Sequence, residues 1–165
     1  MKIQRILITG CGGMLGDSLY PELTSRKYNV LATDINLTSD WLEELDVRSY
    51  EDVRKTVKDF EPDIIFHLAA ETDLEPCEDN PEEAYRTNVA GTQNVVSVCL
   101  EHNIPIVYIG TIGSFDGQKE GLYTAYDIPN PINVYGKTKW EGEKFVKRSI
   151  PRHFIVRACW MMGGG

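Results

Sequence analysis

The chain has 165 residues, 42% hydrophobic and 25% charged, the composition of one globular domain with a core of ordinary size. It carries 17 Lys and Arg against 25 Asp and Glu, a formal charge of −8 with no basic cluster, which argues against nucleic-acid binding. No apolar run approaches the roughly 18 residues that a membrane span needs.

The elements alternate in type along the chain. Ile6-Leu7-Ile8 is an apolar run met by four glycines, Gly10, Gly12, Gly13 and Gly16, after which Met14, Leu15, Leu19 and Leu23 lead into a helix. A buried strand, a tight glycine turn and a helix N-terminus make the arrangement that cradles a dinucleotide pyrophosphate. Gly10 reverses the chain, Gly13 lets backbone N–H groups approach phosphates, and Gly16 lets the helix pack on the strand. Pro21 lies within this helix or interrupts it.

Residues 28–34 form a second strand ending in Asp34, 18 residues beyond Gly16. A carboxylate there accepts hydrogen bonds from the adenosine ribose and repels a 2′-phosphate. Ile35, Asn36 and Leu37 supply no cation to offset it, so NAD is favoured over NADP.

Asp46-Val47 precedes a helix over 49–60, capped by Ser49 and stopped by Pro62. Residues 63–70 read as a strand buried on both faces and running into small residues, where a flat ligand can approach. His67 within it reads as a core histidine. The longest helix is expected to start at Asn80-Pro81-Glu82-Glu83, with an Asn cap and Glu83 closing a capping box. Its buried face is read as Tyr85, Val89, Thr92, Val96 and Cys99, and Asn103 and Pro105 end it.

Residues 106–111 form a strand ending in Thr111. A Gly- and Asp-rich loop (113–121) follows, then a helix through Tyr135 to about Ser149, a strand over 154–157 and a terminal Gly163-Gly164-Gly165. Strands alternating with helices specify parallel pairing with right-handed crossovers. The fold expected is α/β, a doubly wound parallel sheet of the NAD(P)-binding Rossmann type spanning 1–165.

Tyr135 and Lys139 lie four apart on one helix face, where an ammonium can lower a phenol pKa toward the range for proton exchange with a substrate oxygen. Lys139 could also hold the nicotinamide ribose, and Thr111 could hydrogen-bond the same substrate oxygen. Neither the glycine motif nor Tyr-x-x-x-Lys is specific alone. Their order along the chain, with Asp34 and Thr111 between, is what carries the reading. The four cysteines (Cys11, Cys77, Cys99, Cys159) are scattered without Cys-x-x-Cys spacing or companion histidines, which speaks against a metal site or disulfide framework. The chain enters its first strand by residue 3, leaving no room for a signal peptide. A soluble, cytoplasmic protein is expected.

These residues resemble the extended short-chain dehydrogenase/reductases, and within them the dTDP-4-dehydrorhamnose reductase family. The opening turn, residues 9–16, is similar to that family's, and the likeness continues through Leu68-Ala69-Ala70, the stretch 86–92 containing Asn88, and most specifically Asn130-Pro131-Ile132-Asn133-Val134-Tyr135-Gly136-Lys137-Thr138-Lys139-Trp140-Glu141-Gly142-Glu143. The resemblance implies that Thr111, Tyr135 and Lys139 are the catalytic trio. It implies that Gly10, Gly13, Met14, Leu15, Gly16, Asp34, Asp46, Val47, Leu68, Ala69, Ala70, Asn88, Tyr135 and Lys139 contact the cofactor, with Asn88 organising the active site. Arg157-Ala158-Cys159-Trp160 is similar to the segment leading to the substrate pocket. The chain departs from the family at Ile112 and Gly113, where Asp and Tyr are usual. It also ends where the family's smaller substrate domain begins, so the C-terminal substrate domain is expected to be absent.

The activity implied is reduction of a nucleotide-sugar carbonyl with NAD or NADP. Epimerase or dehydratase chemistry on such a sugar is an alternative, and homodimers formed through the long helices are another family expectation. The regulatory β subunit of methionine adenosyltransferase shares the fold and resembles the same reductases, which keeps a dinucleotide-binding regulatory role in view.

Overall fold

The structure is a computed structural model that describes residues 3–161; the terminal glycines 163–165 lie outside the described residues. Its elements are β1 (Arg5–Thr9), α1 (Met14–Ser25), β2 (Asn29–Asp34), β3 (Glu43–Glu44), α2 (Tyr50–Phe60), β4 (Ile64–His67), α3 (Leu74–Asp79), α4 (Pro81–Tyr85), a π-turn (Arg86–Gly91), α5 (Thr92–His102), β5 (Ile106–Thr111), a 3₁₀ turn (Ile112–Ser114), α6 (Val134–Ser149) and β6 (His153–Ala158). The strands form one parallel sheet in the order β3-β2-β1-β4-β5-β6. The order reverses at β1, so the crevice at the C-terminal ends of β1 and β4 is the place where such sheets bind ligands.

The two-residue period of the strands divides the core. Leu7, Ile65 and Ile106 point to the face packed by Val53 and Val57 of α2 and by Val95, Val96 and Cys99 of α5. Ile6, Ile8, Ala32 and Ile64 point to the opposite face, which α1 covers with Leu19, Tyr20 and Leu23. Phe154 and Val156 on the edge strand β6 are 65% and 49% exposed, so no element among the described residues covers this part of the sheet.

Glycines place the first crossover. Gly10 has φ +71°, and a Cβ there would lie 2.4 Å from the Ala69 backbone; a Cβ on Gly16 would lie 2.0 Å from the Cys11 carbonyl oxygen. Both are steric requirements of the turn and of the helix packed on it. Pro21 sits inside α1 without ending it. Ser49 caps α2, accepting from the Asp52 N–H at 3.3 Å, and Glu61 terminates it in the left-handed region at φ +50°.

The strand expected over 63–70 pairs only through His67 and gives way to irregular backbone at Leu68-Ala69-Ala70. The Gly10 reversal crosses against Ala69 at this point, so β1 offers no further partner. The long helix expected from Asn80 is divided by the π-turn. One extra residue in that turn rotates the helix about its axis, so the face read as Tyr85 and Val89 becomes Ala84, Asn88 and Gly91, while Tyr85 is exposed. Thr92, Val96 and Cys99 are buried as expected. Asn80 does cap α4, accepting from the Glu83 N–H at 3.4 Å. The capping box does not form, because the Asn80 N–H bonds the Pro76 carbonyl and the Glu83 carboxylate pairs with Arg48 and Arg86.

Candidate active site

A cleft of about 1130 Å³ opens along the C-terminal ends of the strands. One end begins at the glycine turn. Gly13 is the N-cap of α1 and offers no side chain to the first turn, so the helix N-terminus lacks an internal side-chain acceptor. A Cβ on Gly13 would meet only the Gly10 carbonyl oxygen, at 3.7 Å, so the chain leaves the space over these N–H groups open. An anion fits that space, drawn by the free donors and the helix dipole.

Asp34, at the tip of β2, accepts from the Gly12 N–H at 2.9 Å and from the Asn36 N–H at 2.9 Å. Its carboxylate is thereby fixed beside the glycine turn. Further along, Asp46 and Arg48 are bound to each other by several hydrogen bonds of 2.8–3.0 Å, and Arg48 also pairs with Glu83. Hydrogen bonding to Arg48 is the main cause holding the Asp46 carboxyl below its usual range. The Asn94 carboxamide donates to the Val47 and Arg48 carbonyls, each at 3.0 Å, fastening this corner to α5.

At the other end, Thr111 closes β5 and its hydroxyl oxygen accepts from the Gly113 N–H at 3.0 Å. Gly113 sits between two hydroxyl-bearing side chains: a Cβ there would be 3.3 Å from Thr111 Oγ1 and 3.8 Å from Tyr135 Cε1. Tyr135 occupies the first turn of α6, whose start is held twice. The Asn133 side chain accepts from the Gly136 N–H at 2.7 Å, and Glu78 of α3 accepts from the Val134 N–H at 2.7 Å.

Lys139 lies one turn further along α6 and is only 4% exposed. Its Nζ stands 4.5 Å from the centroid of the Tyr108 ring, a cation–π contact. Burial lowers its pKa to about 8, against the opposing field of Glu143. Glu143 is itself buried and accepts from Arg157 at 2.9 and 2.6 Å and from Lys147 at 2.8 Å. Burial alone raises the Glu143 pKa, but the two cations outweigh it and leave the carboxyl below its ordinary value. Arg157 stacks between Phe115 and Trp140 at 5.2 and 5.7 Å.

One expectation changes here. Burial raises the Tyr135 pKa, with the Thr111 hydroxyl pulling the other way. The lowering expected from Lys139 does not appear, because that ammonium is seated on Tyr108. Tyr135 is therefore a neutral phenol at neutral pH.

The cleft brings together Gly10, Gly13, Met14, Leu15, Asp34, Asp46, Val47, Leu68, Ala69, Ala70, Thr111, Tyr135 and Lys139. Gly16 and Asn88 lie behind its wall. Gly16 is spent on helix packing, and Asn88, fully buried, ties the Glu71 backbone to Thr138 of α6. His67 is a fully buried core residue, as read from sequence. Burial and the nearby Lys139 lower its pKa to about 3. Sequence reasoning missed Glu78, Glu143 and Tyr108. The four-residue spacing of Lys139 and Glu143 is a signal for Glu143 alone; Glu78 and Tyr108 meet α6 from distant segments.

Fold and cleft together define an α/β protein of the Rossmann type with a hydroxyl–phenol–ammonium set at the far end of its groove. The chain belongs to the family described as RmlD substrate binding domain, whose model matches residues 4–165. It is similar to dTDP-4-dehydrorhamnose reductase of Aggregatibacter actinomycetemcomitans, 38% identical over 160 residues that cover 96% of this chain and 52% of that protein. It is likewise similar to dTDP-4-dehydrorhamnose reductase of Bacillus anthracis str. Ames, solved in complex with NADP, at TM-score 0.89 and 34% identity, covering 100% of this chain and 57% of that one. Methionine adenosyltransferase 2 subunit beta of Rattus norvegicus is 34% identical over 143 residues, 87% of this chain and 42% of that protein. The chain thus spans about half the length of the curated relatives it matches. Among the described residues, no helix is long and apolar enough to cross a membrane.

Proposed function

We propose that this chain is the dinucleotide-binding half of an NAD(P)-dependent reductase acting on the carbonyl of a nucleotide-activated sugar. The observation that carries the reading is the meeting of Thr111, Tyr135 and Lys139 in one cleft with the uncapped N-terminus of α1. Backbone N–H groups of Gly13, Met14 and Leu15 hold the pyrophosphate, Asp34 the adenosine ribose, and Asp46 and Val47 the adenine. Leu68, Ala69 and Ala70 form the wall beside the nicotinamide. The bound dinucleotide supplies the hydride. Tyr135 donates its proton to the sugar oxygen while Thr111 hydrogen-bonds that oxygen. Lys139, mostly protonated at neutral pH with a pKa of about 8, holds the nicotinamide ribose.

NAD is the cofactor we favour. The Asp34 carboxylate lines the glycine-turn end of the cleft, where it would repel a 2′-phosphate, and Arg48, the one cation lining that end among the described residues, is bound to Asp46 and Glu83. The substrate reading stops at a nucleotide-activated sugar, because Ile112, 45% exposed, and Gly113 line the cleft where the resemblance puts Asp and Tyr.

The test is Tyr135→Phe in the full-length protein, assayed with a dTDP-4-dehydro sugar. We expect kcat to fall about 10²–10⁴-fold with dinucleotide affinity retained; an unchanged kcat would overturn the reading. The likeness to the methionine adenosyltransferase subunit favours a second reading, a dinucleotide-binding regulatory subunit. A full-length wild type that binds NADH and a protein partner but oxidises no NADH with any nucleotide-sugar would establish that one instead.

A further inference from the structure

Five polar side chains run through the interior from the glycine turn to the helix that carries Tyr135. Thr9, His67, Thr92, Asn88 and Thr138 are all buried, each 0% or 1% exposed. Thr9 Oγ1 lies 2.7 Å from His67 Nδ1, and His67 Nε2 lies 3.0 Å from Thr92 Oγ1. The Thr92 hydroxyl donates to the Asn88 carbonyl at 2.7 Å. The Asn88 Nδ2 group donates to the Glu71 carbonyl and to Thr138 Oγ1, each at 2.9 Å, and Thr138 Oγ1 donates to the Tyr135 carbonyl at 2.9 Å.

The proton positions follow from the donor inventory. Asn88 Oδ1 accepts from the Glu71 N–H at 2.8 Å, which orients the carboxamide. The single Thr92 proton is committed to the Asn88 carbonyl, so Thr92 Oγ1 accepts from His67, whose Nε2 carries the hydrogen. A neutral ring then has Nδ1 free to accept from Thr9. The other tautomer would leave the 2.7 Å contact between Thr92 and the Asn88 carbonyl without a proton, and a buried Thr9 hydroxyl without an acceptor.

The same point is where α6 rests on the core. A Cβ at Gly142 would stand 3.1 Å from the Asn88 carbonyl oxygen, 3.3 Å from Thr92 Oγ1 and 2.6 Å from the Tyr108 hydroxyl. That Tyr108 hydroxyl donates to the Lys139 carbonyl at 3.0 Å.

We infer that His67 and Thr92 are positioning residues for the helix bearing Tyr135 and Lys139: their one-way hydrogen-bond chain holds Asn88 in the π-turn, and through Asn88 and Thr138 it fixes the start of α6. The π-turn is what makes this possible. It turns Asn88 inward, where its carbonyl meets Thr92 and its carboxamide meets Thr138. Neither His67 nor Thr92 touches the cleft, so they act only through this chain.

The first test is made on the 165-residue chain by nuclear magnetic resonance. His67 should be neutral with its proton on Nε2; a proton on Nδ1 or a charged ring at neutral pH would overturn the inference. Thr92→Val removes the hydroxyl at nearly constant shape and Thr92→Ser keeps it. The Asn88 carboxamide protons should exchange about tenfold faster or more in T92V, and within about twofold of wild type in T92S. Unchanged exchange in T92V would overturn the inference.

The kinetic test rests on the reductase reading and uses the full-length protein. T92V should lower kcat about tenfold to a hundredfold with dinucleotide Kd within about twofold, and T92S should restore kcat. Wild-type kcat in T92V would refute the positioning role. A wild type with no turnover defeats the reductase reading, and the exchange comparison still decides the chain. Should T92V not fold, His67→Gln, which keeps a donor toward Thr92, and His67→Leu, which does not, carry the same comparison.

Discussion

Replacing the buried lysine of the candidate site should make the protein more stable. Lys139 is 4% exposed, and Glu143, one turn along the helix, gives its oxygens to Arg157 and Lys147. The Tyr108 ring is its compensation for lost water. Burial takes the ammonium from 10.5 to about 8, which at about 1.4 kcal/mol per pKa unit corresponds to a cost of about 3 kcal/mol at neutral pH. Lys139→Met removes that cost and keeps much of the volume. Because the folded pKa lies below the unfolded value, the unfolded chain keeps a proton that the folded chain has lost between about 8 and 10.5. Wild-type stability therefore rises with pH across that window. The advantage of K139M, full below about pH 8, should shrink to less than half by about pH 9.5. Urea unfolding at both pH values measures this, and about 3 kcal/mol corresponds to roughly 6–12 °C in Tm for a chain of this size. A K139M protein no more stable than wild type at pH 7 would refute the reasoning, because the ammonium would then be solvated in the folded state.

Glu143→Gln should cost about 3–5 kcal/mol at neutral pH, since it strands Arg157, whose side chain is 13% exposed, beside a neutral amide. The Glu143 carboxyl titrates below 4.5 in the fold, so its contribution is complete above that value and fades as pH falls through the lower one; a loss under about 1 kcal/mol in urea at pH 7 would show the pair to be solvated. His67 should make the protein acid-labile. Its folded pKa of about 3 lies below the unfolded 6.5, so its contribution is full above 6.5 and declines below. About 2 kcal/mol should be gone by about pH 5, and His67→Gln should flatten this part of the profile; an equally steep acid slope in H67Q would contradict the burial argument.

Most of the sheet was legible because the strands are short apolar runs bounded by turn residues. Ile6-Leu7-Ile8, Ile64-Ile65 and the run 106–109 could be little else, and the glycines and Asp34 placed one end of the cleft. The elements missed lack such local signals. Glu43–Glu44 is a strand only because it continues the edge of β2 at Thr33 and Asp34. The 3₁₀ turn after β5 and the short helix α3, with Pro76 inside it, are tied to distant segments, the Ser114 carbonyl accepting from the Asn130 N–H and Glu78 from the Val134 N–H. The π-turn was illegible in a different way. A uniform helical period puts Tyr85 and Val89 on the buried face, and what overrides it is the set of partners waiting for Asn88 on Glu71 and Thr138. Glu83 shows the same competition, since its side chain satisfies a capping-box rule on paper and is taken by Arg48 in the fold. Lys139 lines the cleft, and the Tyr108 ring on which its ammonium rests comes from β5, a contact between distant segments that no local spacing signals.

The central claim is that the groove from Gly13 to Lys139 binds a nicotinamide dinucleotide and that Asp34 makes NAD the preferred one. Calorimetric titration of the 165-residue chain with NADH and with NADPH tests it most directly, with Asp34→Ala as the partner measurement. The account predicts one NADH site, NADPH weaker by about tenfold or more, and loss of that difference in D34A. Absence of heat with either nucleotide, or tighter binding of NADPH than NADH to the wild type, would contradict it.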